Sequence, residues 1–171
     1  KISGLKIGTL DWKIIINKKN YTNILRLKSN GFLSYLYKFE GEYFSKGGVE
    51  NNELKPSNYK HFWQTNKTKK DMVLVFDNDK LKSLTQLPIE KEYLRIGVFD
   101  IKKTKDPLTG FLQIIMGKKK LKVLDGRRLY TMNSTHNENN TQTVVEIKDY
   151  FNLWADHKRT KFEKIIFEKK E

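Results

Sequence analysis

The sequence predicts a mainly β protein, a curved antiparallel sheet or incomplete β-barrel with one packed α-helix at about residues 106–117. Three observations carry this prediction. Apolar and polar residues alternate through most of the chain, which is typical of half-buried strands. Turn signals rich in Asn, Asp and Gly separate the alternating segments. Apolar residues spaced three and four apart, the pattern of an amphipathic helix, occur only after Asp106.

The N-terminal third of the chain predicts strands and one hairpin. Residues 10–16 alternate, and Asn17-Lys18-Lys19-Asn20 reads as the loop that leads into a second strand, Tyr21 to Lys28. A change of phase around Gly8 predicts a bulge or a sharp bend. Residues 32–44 are too dense in aromatic side chains for simple alternation, so we expect a helical turn followed by a strand.

The middle of the chain predicts further turns and a second hairpin. Gly47-Gly48 and Asn51-Asn52 are turn signals. Two alternating runs, residues 59–63 and 72–76, flank Asn66-Lys67-Thr68 and are expected to pair across it.

The next segment is less regular. Asp77-Asn78-Asp79 resembles the start of an EF-hand loop, but the later ligands and the closing Glu are missing, so we interpret it as a polar turn. Between Leu81 and Lys105 the alternation weakens. We expect a long connection there, with one short strand at Leu94 to Phe99.

The helix prediction has signals at both of its ends. Asp106 can cap the first turn, and Pro107 suits the first helical position. Gly117 is placed for the C-cap. We expect the apolar face to pack on the concave side of the sheet. That face contains Leu108, Phe111, Leu112, Ile115 and Met116.

Strands resume after the helix. Asp125-Gly126 between Leu121–Leu124 and Arg127–Met132 is a strong hairpin signal, and residues 133–142 read as a polar loop. Three last strands are predicted, with Asp156-His157-Lys158-Arg159 joining the final pair. They are Thr143 to Lys148, Phe151 to Ala155 and Lys161 to Phe167.

The length of 171 residues predicts a single domain, 1–171, and we find no internal repeat or linker. No run of eighteen apolar residues occurs, so we expect no transmembrane segment. Residues 1–4 do not form the apolar stretch of a signal peptide, and an export signal is expected to have been removed before residue 1. The absence of cysteine excludes disulfides and thiolate metal sites, and it fits a reducing compartment or a periplasmic protein.

The net charge of +14 raises the question of nucleic-acid binding. Only five of the 34 basic residues are Arg, the residue that supplies bidentate contacts to bases and phosphates. The abundance of Lys, Asn and Ile is also typical of AT-rich codons. We therefore interpret most of the charge as solvated surface. The closest approach to a binding face is Lys13, Arg26 and Lys28 near Trp12 and Tyr21.

No catalytic or metal site is predicted. The three histidines, His61, His136 and His157, do not lie at metal-ligand spacing from one another or from carboxylates. No G-x-S-x-G motif and no phosphate-binding loop occurs. We therefore expect a protein that is not an enzyme and that uses no cofactor or metal.

Aromatic residues make up 12% of the chain. The favoured interpretation is a large aromatic core. The alternative is that an incompletely closed sheet leaves Trp12, Tyr43, Trp63 and Phe76 on a concave surface that accepts an acyl chain or an apolar peptide.

Several short segments occur in a fixed order along the chain, and together they resemble the exported bacterial family of domains of unknown function numbered 3108. The resemblance covers Gly4 to about Phe167, and the Asp-Pro-Leu-Thr and Asp-Gly-Arg-Arg segments are its most specific parts. The segments are the Gly4 to Gly8 strand, Ser29-Asn30-Gly31-Phe32-Leu33, Phe44-Ser45-Lys46-Gly47, Leu54-Lys55-Pro56-Ser57-Asn58-Tyr59, Val75-Phe76-Asp77, Asp106-Pro107-Leu108-Thr109 and Asp125-Gly126-Arg127-Arg128-Leu129-Tyr130.

The resemblance implies a mature protein in the cell envelope of a Gram-negative bacterium, in the periplasm, because family members usually carry an export signal. It implies a curved, mostly β fold similar to the half-barrels of lipoprotein carriers, and it brings no established activity with it. Many members have a cysteine in the C-terminal half that this chain lacks, so a role for that thiol does not carry over. Arg127 and Arg128 match the family pattern without an evident turn or cap role, and are candidates for contacting an anionic group.

From these observations we expect a periplasmic protein that binds an apolar or amphiphilic, lipid-like ligand on a concave sheet face. Lysine side chains would favour an anionic lipid or envelope polymer. The alternative is an envelope protein interaction or assembly module that uses a sheet edge or a basic face. Nucleic-acid binding is the third expectation, and an enzyme is the least favoured.

Overall fold

The computed structural model describes residues 8–31, 34, 38–137, 142–154 and 163–168. These residues form two sheets and one α-helix, which confirms the predicted mainly β fold class with a helix near residues 106–117. The sheets are not closed into a barrel.

The first sheet is an antiparallel meander in which each strand pairs with the next along the chain. The hairpins predicted at residues 17–20 and 66–68 are confirmed, and the polar turn predicted at 77–79 joins the paired strands β5 and β6. Asn51-Asn52 also forms a hairpin turn, and both residues have positive φ, a conformation that Asn tolerates. The strands are β1 (Gly8–Ile16), β2 (Asn20–Ser29), β3 (Phe39–Glu50), β4 (Glu53–Thr65), β5 (Lys69–Asp77) and β6 (Lys80–Leu87).

The second sheet is mixed, with the strand order β11-β10-β9-β8-β7. β7 and β8 are parallel, because the helix α1 (Pro107–Ile115) connects them as a crossover, and the other pairs are antiparallel. Asp125-Gly126 forms the predicted hairpin turn between β8 and β9. The strands are β7 (Thr104–Lys105), β8 (Lys120–Leu124), β9 (Arg128–His136), β10 (Gln142–Asn152) and β11 (Lys164–Glu168).

The helix α1 begins and ends as predicted. Asp106 is its N-cap, and its side chain accepts a hydrogen bond from the backbone nitrogen of Thr109 at 3.0 Å. Pro107 occupies the first position, and Gly117 follows the C-cap with a φ of 98°.

The helix packs between the two sheets rather than on the concave side of one sheet. Leu112 packs against Tyr21 and Leu54 of the first sheet. On the other side, Ile114 belongs to a buried cluster with Val123 of β8. Gly110 allows this close approach, because a Cβ there would lie 2.8 Å from Cγ2 of Val123.

Several predictions from the alternation pattern are wrong, and β-bulges account for most of them. Gly47-Gly48 lies inside β3, where the register with β4 shifts between Lys46 and Gly47. The strand predicted at Leu94–Phe99 is absent, and the segment contains a 3₁₀ turn at Val98–Asp100. The strand of this region is β6, and a register shift opposite Val75 and Phe76 interrupts its alternation.

Two of the C-terminal strands, β9 and β10, are longer than predicted, whereas β11 is Lys164–Glu168 where a strand from Lys161 to Phe167 is expected. β9 continues to His136, into the segment that reads as a polar loop. Residues 143–148 and 151–152 form one strand, β10, with a register shift between Lys148 and Phe151. The predicted phase change around Gly8 and the predicted helical turn after Gly31 lie partly outside the described residues, and the join at residues 156–159 lies wholly outside them. The loop predicted at 133–142 and the strands predicted at 151–155 and 161–167 also lie partly outside them.

The bulge between β3 and β4, where Ser57 of β4 is the extra residue, depends on glycine at one of two adjacent positions of β3. A Cβ on Gly47 would lie 1.9 Å from the carbonyl oxygen of Lys55, whereas a Cβ on Gly48 would meet only one atom, at 3.8 Å. We predict that Gly47→Ala lowers the free energy of unfolding by about 2 kcal/mol or more through forced backbone displacement. Gly48→Ala should change it by less than about 0.5 kcal/mol. Urea unfolding of both variants measures the difference, and equal effects would contradict the close approach.

Candidate functional site

A buried polar cluster ties the start of α1 to the first sheet. The carboxylate of Asp106 is fully buried and accepts hydrogen bonds from the hydroxyls of Ser45, at 2.9 Å, and Thr109, at 2.5 Å. The hydroxyl of Tyr21 lies 2.6 Å from that of Thr109. Asn23 extends the cluster, since its Nδ2 donates to the carbonyl oxygen of Leu108 at 3.1 Å. Neighbouring positions of β2 and β3 are therefore joined to the first turn of α1.

The environment of this cluster disfavours charge. Burial raises the pKa of Asp106 above its ordinary value, although the hydrogen bonds from Thr109 and Ser45 act in the opposite direction. Burial likewise raises the pKa of Tyr21, and the nearby Asp106 adds to the effect. The cluster is closed to solvent, so its role is to position the helix.

A second polar group joins the two sheets at the start of β7. Lys105 lies 2.8 Å from Asp79 and 3.3 Å from Glu53, and Lys55 contacts the same two carboxylates. Burial raises the pKa of Asp79, but hydrogen bonds from Lys105 and Lys55 outweigh it and hold that pKa below its ordinary value. These four side chains fix β7 beside the turn between β5 and β6.

The inner face of the first sheet is the face that points towards α1 and the second sheet, and the outer face is the opposite one. A half-open pocket of about 350 Å³ lies between this inner face and the second sheet. Its volume lies at the lower end of the range for small-molecule sites. α1 forms part of its wall through Pro107, Leu108 and Phe111. The first sheet contributes Leu25, Tyr43, Tyr59, His61, Trp63, Lys70, Asp71, Met72, Gln86, Leu87 and the following Pro88, and the second sheet contributes Asp125, Arg127 and Tyr130.

The wall of the pocket is mainly aromatic and aliphatic. Tyr59 is buried, and its hydroxyl lies 3.1 Å from Nδ1 of His61. The ring of Tyr43 lies 5.5 Å from that of His61, measured between centroids. Burial raises the pKa values of both tyrosines, so both hydroxyls stay protonated at neutral pH. They can donate hydrogen bonds but not supply a negative charge.

One polar side chain on the pocket wall has an unused donor. Gln86 is only 8% exposed, and its Nε2 is buried with no hydrogen-bond partner among the described residues. A buried donor without a partner costs about 1–3 kcal/mol. Gln86 lines the pocket, so its amide group lies next to the space that a bound molecule would occupy, although Nε2 itself is buried.

Positive charge is present at the pocket as well. Lys70 is directly opposite Trp63 across β4 and β5, and its Nζ lies 5.4 Å from the centre of the indole ring. Arg127 also lines the pocket, and its Nη2 lies 3.0 Å from Oε2 of Glu90. That ion pair joins Glu90, two residues after the pocket residue Pro88, to the turn that carries Arg127.

The structure separates the six side chains that the sequence indicated for ligand contact. Tyr43, Trp63 and Arg127 line the pocket. Phe76 is buried in the core at 4% exposure. Trp12 lies on the edge strand β1, where its Nε1 donates to Asn23 at 2.6 Å. Arg128 does not line the pocket.

The expectation that Arg127 and Arg128 lack a structural role is wrong. Arg127 pairs with Glu90, as described above. Arg128 pairs with Asp125 at 3.2 Å and lies over the ring of Tyr150. The carboxylate of Asp125 also accepts hydrogen bonds from the backbone nitrogens of both arginines. The Asp-Gly-Arg-Arg turn is therefore stabilised by contacts within the segment itself.

The basic and aromatic residues considered for nucleic-acid binding do not form one surface. Tyr21 is buried. Trp12 is paired with Leu25 on the inner face, whereas Lys13 and Arg26 are on the opposite, outer face.

Two further kinds of site are absent from the described part of the chain. No group of three or more His, Cys, Asp or Glu residues there could hold a metal ion. Among the helices of the described ranges, none has the length and apolar content that crossing a membrane requires.

The two most specific sequence segments, Asp106–Thr109 and Asp125–Arg128, thus frame the pocket from the helix side and the second-sheet side. The model of a family described as protein of unknown function (DUF3108) matches residues 1–154. The chain belongs to the DUF3108 family. No curated protein and no solved structure matches it. The match ends at the last described residue of the segment 142–154, so it covers all of the pocket residues.

Three features of the pocket in this DUF3108 chain were not predicted from the sequence. Gln86 was hidden because a register shift in β6 moves the buried face from Leu81 to even-numbered positions. Lys70 resembled any surface lysine, and its position opposite Trp63 becomes evident only once the hairpin register is known. The contribution of Phe111 depends on the packing of α1 between two sheets.

Asp106 provides a direct test of the buried cluster. We predict that Asp106→Ala lowers the free energy of unfolding by about 3 kcal/mol, because it removes a cap and leaves the hydroxyls of Ser45 and Thr109 without their acceptor. Asp106→Asn keeps an acceptor oxygen and should cost less. Urea unfolding of both variants measures these changes, and an Ala variant as stable as the wild type would contradict the cluster's role.

The raised pKa of Asp106 predicts that the stability of the wild type relative to Asp106→Asn depends on pH. Because the pKa of Asp106 is raised above 3.8 on folding, the folded protein keeps this proton at pH values where the unfolded chain loses it. The wild type should therefore gain stability relative to Asp106→Asn as the pH falls through the raised pKa towards 3.8. Other carboxylates titrate in both proteins and cancel in the difference. If the stability of the wild type relative to Asp106→Asn instead increased with rising pH, the raised pKa of Asp106 would be contradicted.

Proposed function

We propose that this DUF3108 protein binds an apolar or amphiphilic, lipid-like ligand in the pocket between its two sheets and does not act as an enzyme. The observation that carries the proposal is the combination of an apolar wall with the unpartnered donor of Gln86. The amide nitrogen of Gln86 is one of three buried polar side-chain atoms without a partner among the described residues, and of these three residues only Gln86 lines the pocket. A ligand with an apolar body and an oxygen-bearing end would use both features.

The apolar part of the ligand would gain affinity from burial. Leu25, Met72, Leu108 and Phe111 provide contacts from both the first sheet and the helix. Removing apolar surface from water contributes about 25 cal/mol for each Å². Burial of an acyl chain or a ring system between these side chains therefore supplies most of the binding free energy.

The polar end of the ligand would lie near Gln86 and Lys70. The amide of Gln86 offers a hydrogen bond to a carbonyl, carboxylate or phosphate oxygen. Lys70 adds a positive charge on the same face of β5 and thereby favours an anionic end group. This attraction is exposed to solvent at the half-open mouth and is expected to weaken as salt is added.

The mouth of the pocket also suits an apolar ligand. Leu87 lines the pocket and is 55% exposed, and Ile89, two residues further on, is 79% exposed. Exposed apolar side chains beside an opening provide a surface on which an acyl chain can enter without full hydration.

The cellular location is part of the same proposal. We propose that the protein acts in the periplasm of a Gram-negative bacterium, as the export signals usual among members of the family imply. The pocket favours ligand binding over the two other expectations, an envelope interaction module and nucleic-acid binding. Cell fractionation of the full-length protein tests the location, and recovery in the cytoplasm would contradict it.

The aromatic wall can be tested with two neighbouring residues on opposite faces of β4. Trp63 lines the pocket, whereas Phe62 faces the other way, under Lys69. We predict that Trp63→Ala weakens binding of a dansyl-labelled fatty acid about tenfold, since about 1.4 kcal/mol of apolar contact is lost. Phe62→Ala is the matched control and should bind as the wild type does. Fluorescence titration measures both constants, and equal effects would place binding elsewhere.

The charge preference has a similar matched pair. We predict that Lys70→Gln reduces the preference for a fatty acid over the corresponding fatty alcohol about threefold to tenfold at low salt. Lys69→Gln, on the outer face, should leave the preference unchanged. Competition titrations at two salt concentrations measure the preference. A loss of preference in the Lys69 variant alone would contradict the assigned orientation.

Gln86 predicts opposite changes in stability and binding. Gln86→Leu replaces a buried, unpartnered amide by an apolar side chain of similar size, so the free protein should gain about 1 kcal/mol of stability. The same substitution removes the donor for the ligand and should weaken fatty-acid binding. Thermal unfolding and titration of one sample measure both quantities. A variant that is less stable and binds normally would contradict the role of this amide.

A further inference from the structure

The edge strand β1 carries features that the pocket does not use. Among the described residues it pairs with β2 only, so its other edge is open along Gly8–Ile16. A long open edge with apolar side chains readily pairs with a further strand. Four apolar side chains of its inner face are exposed to solvent: Leu10 at 60%, Trp12 at 37%, Ile14 at 40% and Ile16 at 44%.

The backbone groups that point outward from this edge can be identified. The nitrogen of Asn17 donates to the carbonyl oxygen of Asn20 across the β1–β2 turn at 2.9 Å. Inward and outward groups alternate along an antiparallel strand, so the odd-numbered residues of β1 bond to β2. The N–H and C=O groups of the even-numbered residues, including Trp12, point away from the sheet.

We propose that two copies of this chain associate through β1, antiparallel to each other, with Trp12 opposite Trp12 of the second copy. In this register every residue of β1 is paired, from Gly8 opposite Ile16 to Ile16 opposite Gly8. The outward even-numbered residues then form the hydrogen-bonded pairs, as the geometry requires. The contact is self-complementary about a twofold axis and joins the two six-stranded sheets into one.

The charged residues of β1 favour this register and favour a second copy of the chain as the partner. Asp11 comes opposite Lys13 of the second copy, and the twofold axis repeats the pair. Displacing the register by two residues would place Asp11 opposite Asp11 or Lys13 opposite Lys13, which is unfavourable. Within one chain Asp11 already faces Arg26, which pairs with Glu42 at 2.6 Å. The second copy's Lys13 extends this row of alternating charges.

Apolar contact favours the same register on the inner face. Leu10 comes opposite Ile14 of the second copy, and the two Trp12 side chains meet at the axis. Aromatic and aliphatic cross-strand pairs stabilise sheets beyond the backbone hydrogen bonds. The exposed apolar row of β1 is thereby covered by an identical row.

Two charge reversals test the proposal in the full chain. Sedimentation equilibrium of the wild type should show a dimer. Lys13→Asp places a second carboxylate opposite Asp11, and Asp11→Lys places a second ammonium group opposite Lys13. Each variant alone should therefore dimerise at least about tenfold more weakly. An equimolar mixture of the two variants restores both opposite-charge pairs and should recover the dimer.

Two further variants keep the test decisive. Lys60→Asp makes the same charge change on the outer face of β4, away from β1, and should dimerise as the wild type does. Ile14→Pro removes one outward N–H, spares the bonds to β2 and should abolish the dimer. Circular dichroism verifies that each variant is folded. A monomeric wild type, or a dimer that neither reversal weakens, would overturn the proposal, and so would a mixture that does not recover.

Discussion

The structure depends on a carboxylate that is buried at the start of its helix. Asp106 caps α1 and at the same time binds the hydroxyl of Ser45 on β3, so one side chain sets both where the helix begins and where it lies on the first sheet. A buried carboxylate is costly unless donors surround it. Here the backbone nitrogen of Thr109 and two hydroxyls supply those donors. Such a cluster tolerates little displacement, which suits a helix that has to keep two sheets apart.

The position of the helix determines the pocket. Because α1 occupies only one end of the space between the sheets, Leu108 and Phe111 become part of a wall instead of closing the core. The opposite wall depends on a second braced element, the Asp125–Arg128 turn, and Arg127 links that turn to Glu90. The Asp106 cluster and the Asp125–Arg128 turn are both held by directional hydrogen bonds. They therefore keep the cavity open where apolar packing alone would favour collapse. The buried amide of Gln86 is the stability cost of keeping this space available.

Local signals explain what the sequence could predict. The helix was predictable because Asp106, Pro107 and the apolar spacing act within a few residues of one another, and the hairpins were predictable from their turns. The two-sheet arrangement was not, since the parallel pairing of β7 with β8 depends on packing between residues far apart in the chain. Register shifts place one extra residue in β4, β6 and β10 and reverse the inward face within each of these strands, and for that reason Gln86 was overlooked. Gly47 was mistaken for a turn because a Gly-Gly pair is a local turn signal, whereas it lies inside β3 beside a bulge. Of the six side chains indicated for ligand contact, Trp12 and Phe76 are on the expected inner face but not on the pocket, because alternation predicts the face of a sheet and not the position of a cavity along it.

The most direct test of the pocket as a ligand site is native mass spectrometry of the full-length protein after gentle purification from bacterial cells, followed by organic extraction. The account predicts one adduct of lipid size for each chain, which organic solvent releases. The amount of this adduct should be lower in the Trp63→Ala variant. A ligand-free mass for freshly purified protein, or an adduct that is unaffected by changes to the pocket wall, would contradict it.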